Sequence, residues 1–416
     1  MSHNSEISHV LHPPRWAAAR ASRFKREFAS VFHDVARGAI EREHERRLPF
    51  EELELLKKSG FTRATLPEEI GGGGASLTEG FELLSHLAQH DPNLAQILRS
   101  HFALVERQIL APPSENRDRV LSWIAEGAIY GNASHERSSA SVGSLNTRIS
   151  ADGEDFLLTG TKYYSTGTLF ADWVSVSAID EDGEFVGVAV DTTAEGVTRI
   201  DDWNGFGQRM TGSGTTVFDA VRVPAHDVTR RSTASHGHGG AYVQLVLLAA
   251  LNGIGRAIVS DATSFVASRT RVYSNGSGAT AATDPLVLET IGELSALSFQ
   301  ADSALQTAVS ALQESHDLHI ARAGSDAITE AVIRGDVATA HAQISVVTSV
   351  LDAATKLFDV GGASSTDRAR GLDRHWRNAR TIATHNPHRN KAKLIGDLVV
   401  NDAPLSNSWD TGESAS

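Results

Sequence analysis

Near the end of the chain, the run 373–387 reads Asp-Arg-His-Trp-Arg-Asn-Ala-Arg-Thr-Ile-Ala-Thr-His-Asn-Pro and closes with His385 beside Asn386. An imidazole can donate or accept a proton near neutral pH, whereas an amide such as Asn386 cannot act as a base. The run 131–136, Gly-Asn-Ala-Ser-His-Glu, supplies Asn132 as a further hydrogen-bond donor. Hydroxyls crowd two other segments, 159–167 (Thr-Gly-Thr-Lys-Tyr-Tyr-Ser-Thr-Gly) and 203–215 (Trp-Asn-Gly-Phe-Gly-Gln-Arg-Met-Thr-Gly-Ser-Gly-Thr). Ser165, Thr166, Thr211 and Ser213 there can each give and accept a hydrogen bond. Cysteine is absent, so thiolate nucleophiles, disulfides and thiolate metal sites are excluded. His236 and His238 sit among glycines without a carboxylate at metal-binding spacing, and read as a mobile loop with no metal. Chemistry must rest on imidazoles, hydroxyls, carboxylates or a borrowed cofactor.

The elements that position these residues follow from periodicity. Phe24, Phe28, Val31 or Phe32, and Val35 recur at helical spacing within a helical run over 15–47, and further helices are expected from Phe50 to Ser59-Gly60, over 77–90 and over 94–110. Residues 66–74, Leu-Pro-Glu-Glu-Ile-Gly-Gly-Gly-Gly, read as a surface turn, since no strand precedes them as phosphate binding would require. Between about 130 and 230 the pattern alternates at 156–159, 173–177, 185–190 and 215–218, punctuated by Asp152-Gly153, Asp182-Gly183 and Glu195-Gly196, which predicts an antiparallel sheet or barrel. Helical period returns over 242–273, 286–313, 327–333 and 337–358, the last with Val337, His341, Ile344, Val347, Leu351, Ala354 and Phe358 in one stripe. These helices fit a bundle. A flexible loop is expected at 275–283 and a polar tail at 406–416. The expected units are 1–128, 129–235 and 236–416.

Composition narrows the function. With 51 acidic and 38 basic residues the formal charge is −13, which argues against nucleic-acid binding. The longest apolar stretch, 243–251, is about half of the ~18 residues a membrane span needs. The first dozen residues lack an apolar signal core, so a cytoplasmic protein is expected. No Gly-x-Gly-x-x-Gly follows a strand, so the chain is not expected to bind NADH.

The order of units, together with 66–74, 159–167 and 203–215, resembles the acyl-CoA dehydrogenase superfamily over roughly 15–401. That resemblance implies a mostly α, α+β fold: an N-terminal helical domain, a middle β-barrel and a C-terminal four-helix bundle, with flavin where barrel and bundle meet. Dehydrogenases of the family carry a catalytic glutamate near the chain end; the aligned position here is Asn386. The run 373–387, with 131–136, is instead similar to flavin-dependent monooxygenases of the dibenzothiophene and alkanesulfinate or sulfone type. Such enzymes take reduced FMN from a separate NAD(P)H:flavin reductase, form a C4a-hydroperoxide with O2 and oxygenate a small organosulfur compound. The resemblance implies Thr166 at flavin N5, with Ser165, Thr211, Ser213 and Asn386 also on the cofactor. It implies Asn132 against flavin and peroxide, His385 as a peroxide donor, His101 facing the pocket, and Arg271 on the flavin phosphate across a subunit interface. Gln96 and Ser100 replace a histidine and a tyrosine of the thiophene enzyme, which puts a bulky aromatic sulfide in doubt. A homotetramer is expected. An FAD-dependent acyl-CoA dehydrogenase, an amine N-hydroxylase and a non-enzymatic binding scaffold are the rival readings.

Overall fold

The computed structural model describes residues 15–137, 145–230, 237–269 and 276–405. Arg271, His236 and the tail 406–416 therefore lie outside the described residues. Helices α1 (Arg15–Ala36), α2 (Ala39–Glu45), α3 (Phe50–Lys58), α4 (Leu77–His90), α5 (Pro92–Ile97), α6 (Arg99–Leu110) and α7 (Glu115–Ala125) come first. The expected run over 15–47 breaks at Gly38, whose φ of 71° suits a residue without Cβ. The run over 94–110 divides at Leu98, after Asp91 caps Asn93 and Pro92 opens α5. Phe24, Phe28, Phe32 and Val35 are all buried, as their spacing predicts, and Phe61 packs edge-on against Phe28 and Phe32 at 5.4 and 5.5 Å.

The middle strands are β1 (Tyr130–Ala133), β2 (Arg148–Asp152), β3 (Asp155–Lys162), β4 (Trp173–Ile179), β5 (Phe185–Asp191), β6 (Val197–Ile200), β7 (Thr215–Val223) and β8 (Val228–Arg230). They pair in the order β6-β7-β3-β2-β4-β5-β8, with β1 alongside β4. The expected all-antiparallel sheet is corrected to a mixed one, because β1 and β2 both run parallel to β4. Among the described residues β6 and β8 are edges, so pairing does not close a barrel. Val174, Val176, Val186, Val188 and Val190 alternate inward to form the sheet's own core.

The C-terminal part consists of α8 (Gly239–Ser268), α9 (Pro285–Ile320), α10 (Ser325–Lys356), α11 (Asp373–Ala383) and α12 (His388–Asn401). Helices α8, α9 and α10 pack on one another, α11 lies against α8 and α10, and α12 runs along α10. Helix α8 is apolar and long enough to cross a bilayer, yet 78% of its most apolar window is buried, as befits the central helix of a bundle. The expected segments 327–333 and 337–358 are mostly one helix, α10. Along its stripe Val347 and Ala354 are buried, Val337, Ile344, Leu351 and Phe358 half-buried, and His341 exposed. Exposed apolar side chains here include Leu286, Leu288, Phe299 and Ile320 on α9, Ile333 on α10, Trp376 on α11, and Val399 and Val400 on α12.

One buried ion pair joins β3 to the segment after β1. Lys162 Nζ lies 2.8 Å from Glu136 Oε1, the two side chains being 0% and 6% exposed. Glu136 also accepts from Thr147 N and Oγ1 and from Asn146 N, so it fixes the approach to β2. Burial opposes its charge, but these donors and Lys162 outweigh it and hold the carboxyl at about 2. A depressed carboxyl stabilises the fold fully above its ordinary pKa and loses that contribution as pH falls toward the folded value. Glu136→Gln leaves Lys162 buried and unpaired, and should cost about 3–5 kcal/mol in urea unfolding at pH 7. The double variant Glu136→Gln/Lys162→Met should recover most of the loss. A single variant within 0.5 kcal/mol of wild type, taken as roughly the noise of such comparisons, would remove this role.

Candidate functional site

Helix α11 connects all three parts of the chain. In its first turn Arg374 and His375 both meet Asp261 of α8, at 2.6 and 2.8 Å. Burial first, then the Arg374 charge, holds His375 down at about 4 against the pull of Asp261, so the neutral ring donates Nε2–H to that carboxylate. One turn on, Arg377 donates to Glu43 at 2.8 Å and to the Phe206 carbonyl at 3.1 Å. Asn378 accepts the backbone N–H of Gln208 at 2.5 Å. Asn386 donates to Gln244 of α8 at 2.7 Å, and its carbonyl accepts from Gln343 of α10. That amide nitrogen is spent on joining the bundle helices.

The loop 203–213 is thereby pressed onto α11. A Cβ at Gly207 would stand 2.0 Å from the Arg377 carbonyl oxygen, so only glycine permits this approach. Gln208 follows with φ of 50°, a costly conformation for a non-glycine residue, and its carbonyl accepts from Trp203 Nε1 at 2.9 Å. The structure then brings three of the sequence-derived residues together. Thr211 Oγ1 donates to the Gln208 carbonyl at 2.9 Å, Ser213 Oγ lies 2.7 Å from Thr211 Oγ1, and Thr166 Oγ1 lies 2.7 Å from Ser213 Oγ. A carbonyl can only accept, so Thr211 uses its one proton there. Ser213 must then donate to Thr211, and Thr166 to Ser213. The direction of every proton is fixed, and Thr166 is left with only lone pairs to offer a ligand. Ser165, beside it, is 1% exposed and its hydroxyl has no partner among the described residues.

A second cluster joins the start of α6 to the end of α11. Arg99, at the start of α6, donates NH1 to His385 Nε2 at 3.0 Å. A guanidinium can only donate, so the His385 proton resides on Nδ1. Burial among surrounding protein, and next the Arg99 charge, push His385 down to about 3, with the Asn386 side chain pulling the other way. His385 itself is exposed, so it stands at the surface beside the buried Arg99. His135 is lowered too, by burial and then by the charges of Arg99 and Lys162. Asn132 is half-buried; its Oδ1 accepts from Ser134 Oγ at 2.8 Å, which orients the amide with its N–H2 outward from that bond.

Two histidines are placed differently from expectation. His101 is fully buried, donates Nε2–H to the Thr62 carbonyl at 2.6 Å and accepts from Tyr130 N at Nδ1. Both ring nitrogens serve the main chain, and burial lowers the ring to about 4, so it ties the N-terminal helices to β1. His238 is no mobile-loop residue. It is buried, with Nε2 2.8 Å from Glu106 and Nδ1 2.9 Å from Ser315, because the fold brings α6 and α9 to it. No group of described residues has the composition of a metal site.

Sequence reasoning missed Arg99, His135 and Gln208. Gln208 is 3% exposed with both side-chain polar atoms unpaired. Arg99 left a faint signal, since it shares a helical face at i, i+3 and i+7 with Phe102 and Glu106, and all three are buried.

Comparison with known proteins gives a consistent set of likenesses. The acyl-CoA dehydrogenase N-terminal, middle and C-terminal domain families match residues 22–128, 133–221 and 245–390. A dibenzothiophene monooxygenase of Mycolicibacterium goodii is 30% identical over 84% of this chain and 87% of its own length. A probable FMNH2-dependent monooxygenase, SfnC, of Pseudomonas putida is 29% identical over 94% of this chain and 96% of its own. Among solved structures, methanesulfinate monooxygenase MsuC of Pseudomonas fluorescens superposes with a TM-score of 0.83 at 26% identity, covering 92% of this chain and 97% of that one. FMN-bound TdsC of Paenibacillus sp. A11-2 gives 0.85 at 23%, covering 94% and 100%, a likeness of fold.

Gly207→Ala tests the docking of the loop on α11. The added methyl must separate the loop from the Arg377 carbonyl, at a cost of about 1–3 kcal/mol typical of overpacking. The melting temperature should fall, with ligand affinity at the Thr166 chain falling beyond what the lost stability explains. A variant with wild-type melting and binding would show that the close approach is unimportant.

Proposed function

The chain belongs to the acyl-CoA dehydrogenase family, in its flavin-dependent monooxygenase branch, and we propose that it oxygenates a small organosulfur compound using reduced FMN from a separate NAD(P)H:flavin reductase. When bound, the reduced flavin would supply the electrons that activate O2 for transfer to the substrate. The observation that carries this reading is the hydroxyl chain from Thr166 through Ser213 and Thr211 to the Gln208 carbonyl. Reduced flavin bears a proton on N5 and oxidised flavin does not, so an acceptor-only Thr166 favours the reduced form. The unpaired hydroxyl of Ser165 and side chain of Gln208 fit a planar heterocycle rich in hydrogen-bonding groups. As the resemblance implies, Asn132 and His385 would offer hydrogen bonds on the side of the oxygen and Arg271 would hold the phosphate. Asn386, bonded to Gln244, stands where a dehydrogenase needs a carboxylate base, which weighs against acyl-CoA oxidation.

The expected test is a reaction with FMN, NADH, a flavin reductase and O2, in which an organosulfur compound gains oxygen in step with O2 uptake. Dye reduction by acyl-CoA without oxygenated product would transfer the chain to the dehydrogenase reading. Thr211→Val removes the bond that fixes the proton direction. The preference for reduced over oxidised FMN, measured by titration of both forms, should shrink roughly tenfold, the worth of about one hydrogen bond. An unchanged ratio would sink the argument from the hydroxyl chain.

The assembly proposed is a homotetramer. The apolar side chains left exposed on α9 and α12 support a partner there, and light scattering should return four chains per particle. A monomer at working concentration would refute it.

A further inference from the structure

Several buried or half-buried cations among the described residues are compensated by carboxylates. Arg42 meets Glu52 and Asp91, Lys162 meets Glu136, and Arg256 meets Glu82 and Asp302. Arg99 departs from this pattern. It is 6% exposed, no described carboxylate pairs with it, its Nε has no partner, and its one hydrogen bond goes to a neutral imidazole. Burial alone lowers the guanidinium to about 10, so it keeps its charge at neutral pH. An uncompensated buried charge is costly, and a fold that retains one is prepared for a ligand of opposite sign.

The surroundings place that ligand beside the flavin-binding hydroxyls. A Cβ at Gly167 would stand 2.5 Å from the Ile97 carbonyl oxygen, so the Thr166 segment touches the chain two residues before Arg99. Tyr163 N donates to the His135 carbonyl at 2.9 Å, and Thr168 Oγ1 to the Asn132 carbonyl at 3.1 Å, which brings the end of β1 to the same place. Arg99, His135 and His385 thus lie together, with no carboxylate bonded to any of the three among the described residues. The nearby Lys162 is already neutralised by Glu136.

We propose that Arg99 anchors the oxyanion end of the substrate, so that the compound taken here is a small organosulfur anion of the sulfinate or sulfonate class, not a neutral sulfide or sulfone. The assignment rests on the monooxygenase reading for the reaction, but not for the binding. A guanidinium holds such oxygens through paired N–H donors, and the N–H groups not bound to His385 remain for that purpose.

The test is calorimetric titration of the FMN-loaded protein with ethanesulfinate, ethanesulfonate and the neutral dimethyl sulfone, in wild type, Arg99→Met and Arg99→Lys. Wild type should bind at least one anion ~10-fold or more tighter than the sulfone. Arg99→Met should lose ~10–100-fold in that affinity, the range for a charge-assisted hydrogen bond, with Arg99→Lys regaining part. FMN affinity should stay unchanged, and the melting temperature of ligand-free Arg99→Met should be equal or higher, because an unpaired charge has been removed. Failure of wild type to prefer an anion, or unchanged anion binding in Arg99→Met, would overturn the proposal. So would a parallel loss of FMN affinity, which would put the guanidinium on the flavin, or a clear drop in ligand-free stability, which would make it structural. Arg99-dependent anion binding without oxygenated product would retain the anion site and retire the monooxygenase reading.

Discussion

The docking of α11 onto the loop 203–213 is the constraint on which the site depends, and the buried carboxylate of Glu43 is its hub. Glu43 is 2% exposed and accepts from Arg377 and Asn378, while its backbone carbonyl takes Arg209 from the loop itself. N-terminal helix, central loop and C-terminal helix meet at one residue. A buried anion of this kind is tolerable only while its donors stay in place, so the three parts hold one another in register. Through Asn378 and Gly207 that register is passed to Gln208, and from the Gln208 carbonyl to the hydroxyls of Thr211, Ser213 and Thr166. The proton directions of the chain are consequently set by a main-chain oxygen whose position α11 determines.

The electrostatics of the cluster around Arg99 are the second consequence. Imidazoles lowered by burial stay neutral across the physiological range, which leaves Arg99 as the fixed charge facing them. His385 serves this arrangement by accepting from Arg99, and the resulting tautomer turns Nδ1–H away from that bond. Among the described residues Arg99 is a buried cation without a carboxylate, and the hydroxyl chain has fixed proton directions; preorganisation of this sort spares a reaction the cost of reorienting dipoles. The carboxylate of Glu136, beside this cluster, is neutralised by Lys162.

Much of this was legible in the residues themselves. Phe24, Phe28, Phe32 and Val35 announced a buried helical face because helical period records which side meets the core. The segments 159–167, 203–215 and 373–387 stood out through their resemblance to the motifs of a known family, and Asn386 by standing where that resemblance implies a dehydrogenase's glutamate. Local breaks were less legible. The interruptions at Gly38 and Leu98 and the parallel pairing of β1 and β2 with β4 depend on how the chain returns on itself, which periodicity does not encode.

The sequence by itself determined which elements form, which segments carry the hydroxyls and imidazoles, and that no thiol takes part, because these are properties of residue type and local spacing. Only the tertiary structure decided what those groups do. Nothing in the sequence near His101 or His238 reveals that Thr62, Tyr130, Glu106 and Ser315 consume their ring nitrogens, since those partners arrive from distant helices and strands. Arg99 lies 286 positions before His385, and its burial without a carboxylate is a property of the packed whole. Hydrogen bonds and ion pairs act over about 3 to 4 Å of space whatever the separation along the chain, so the electrostatic character of this cluster came into being only when the chain folded.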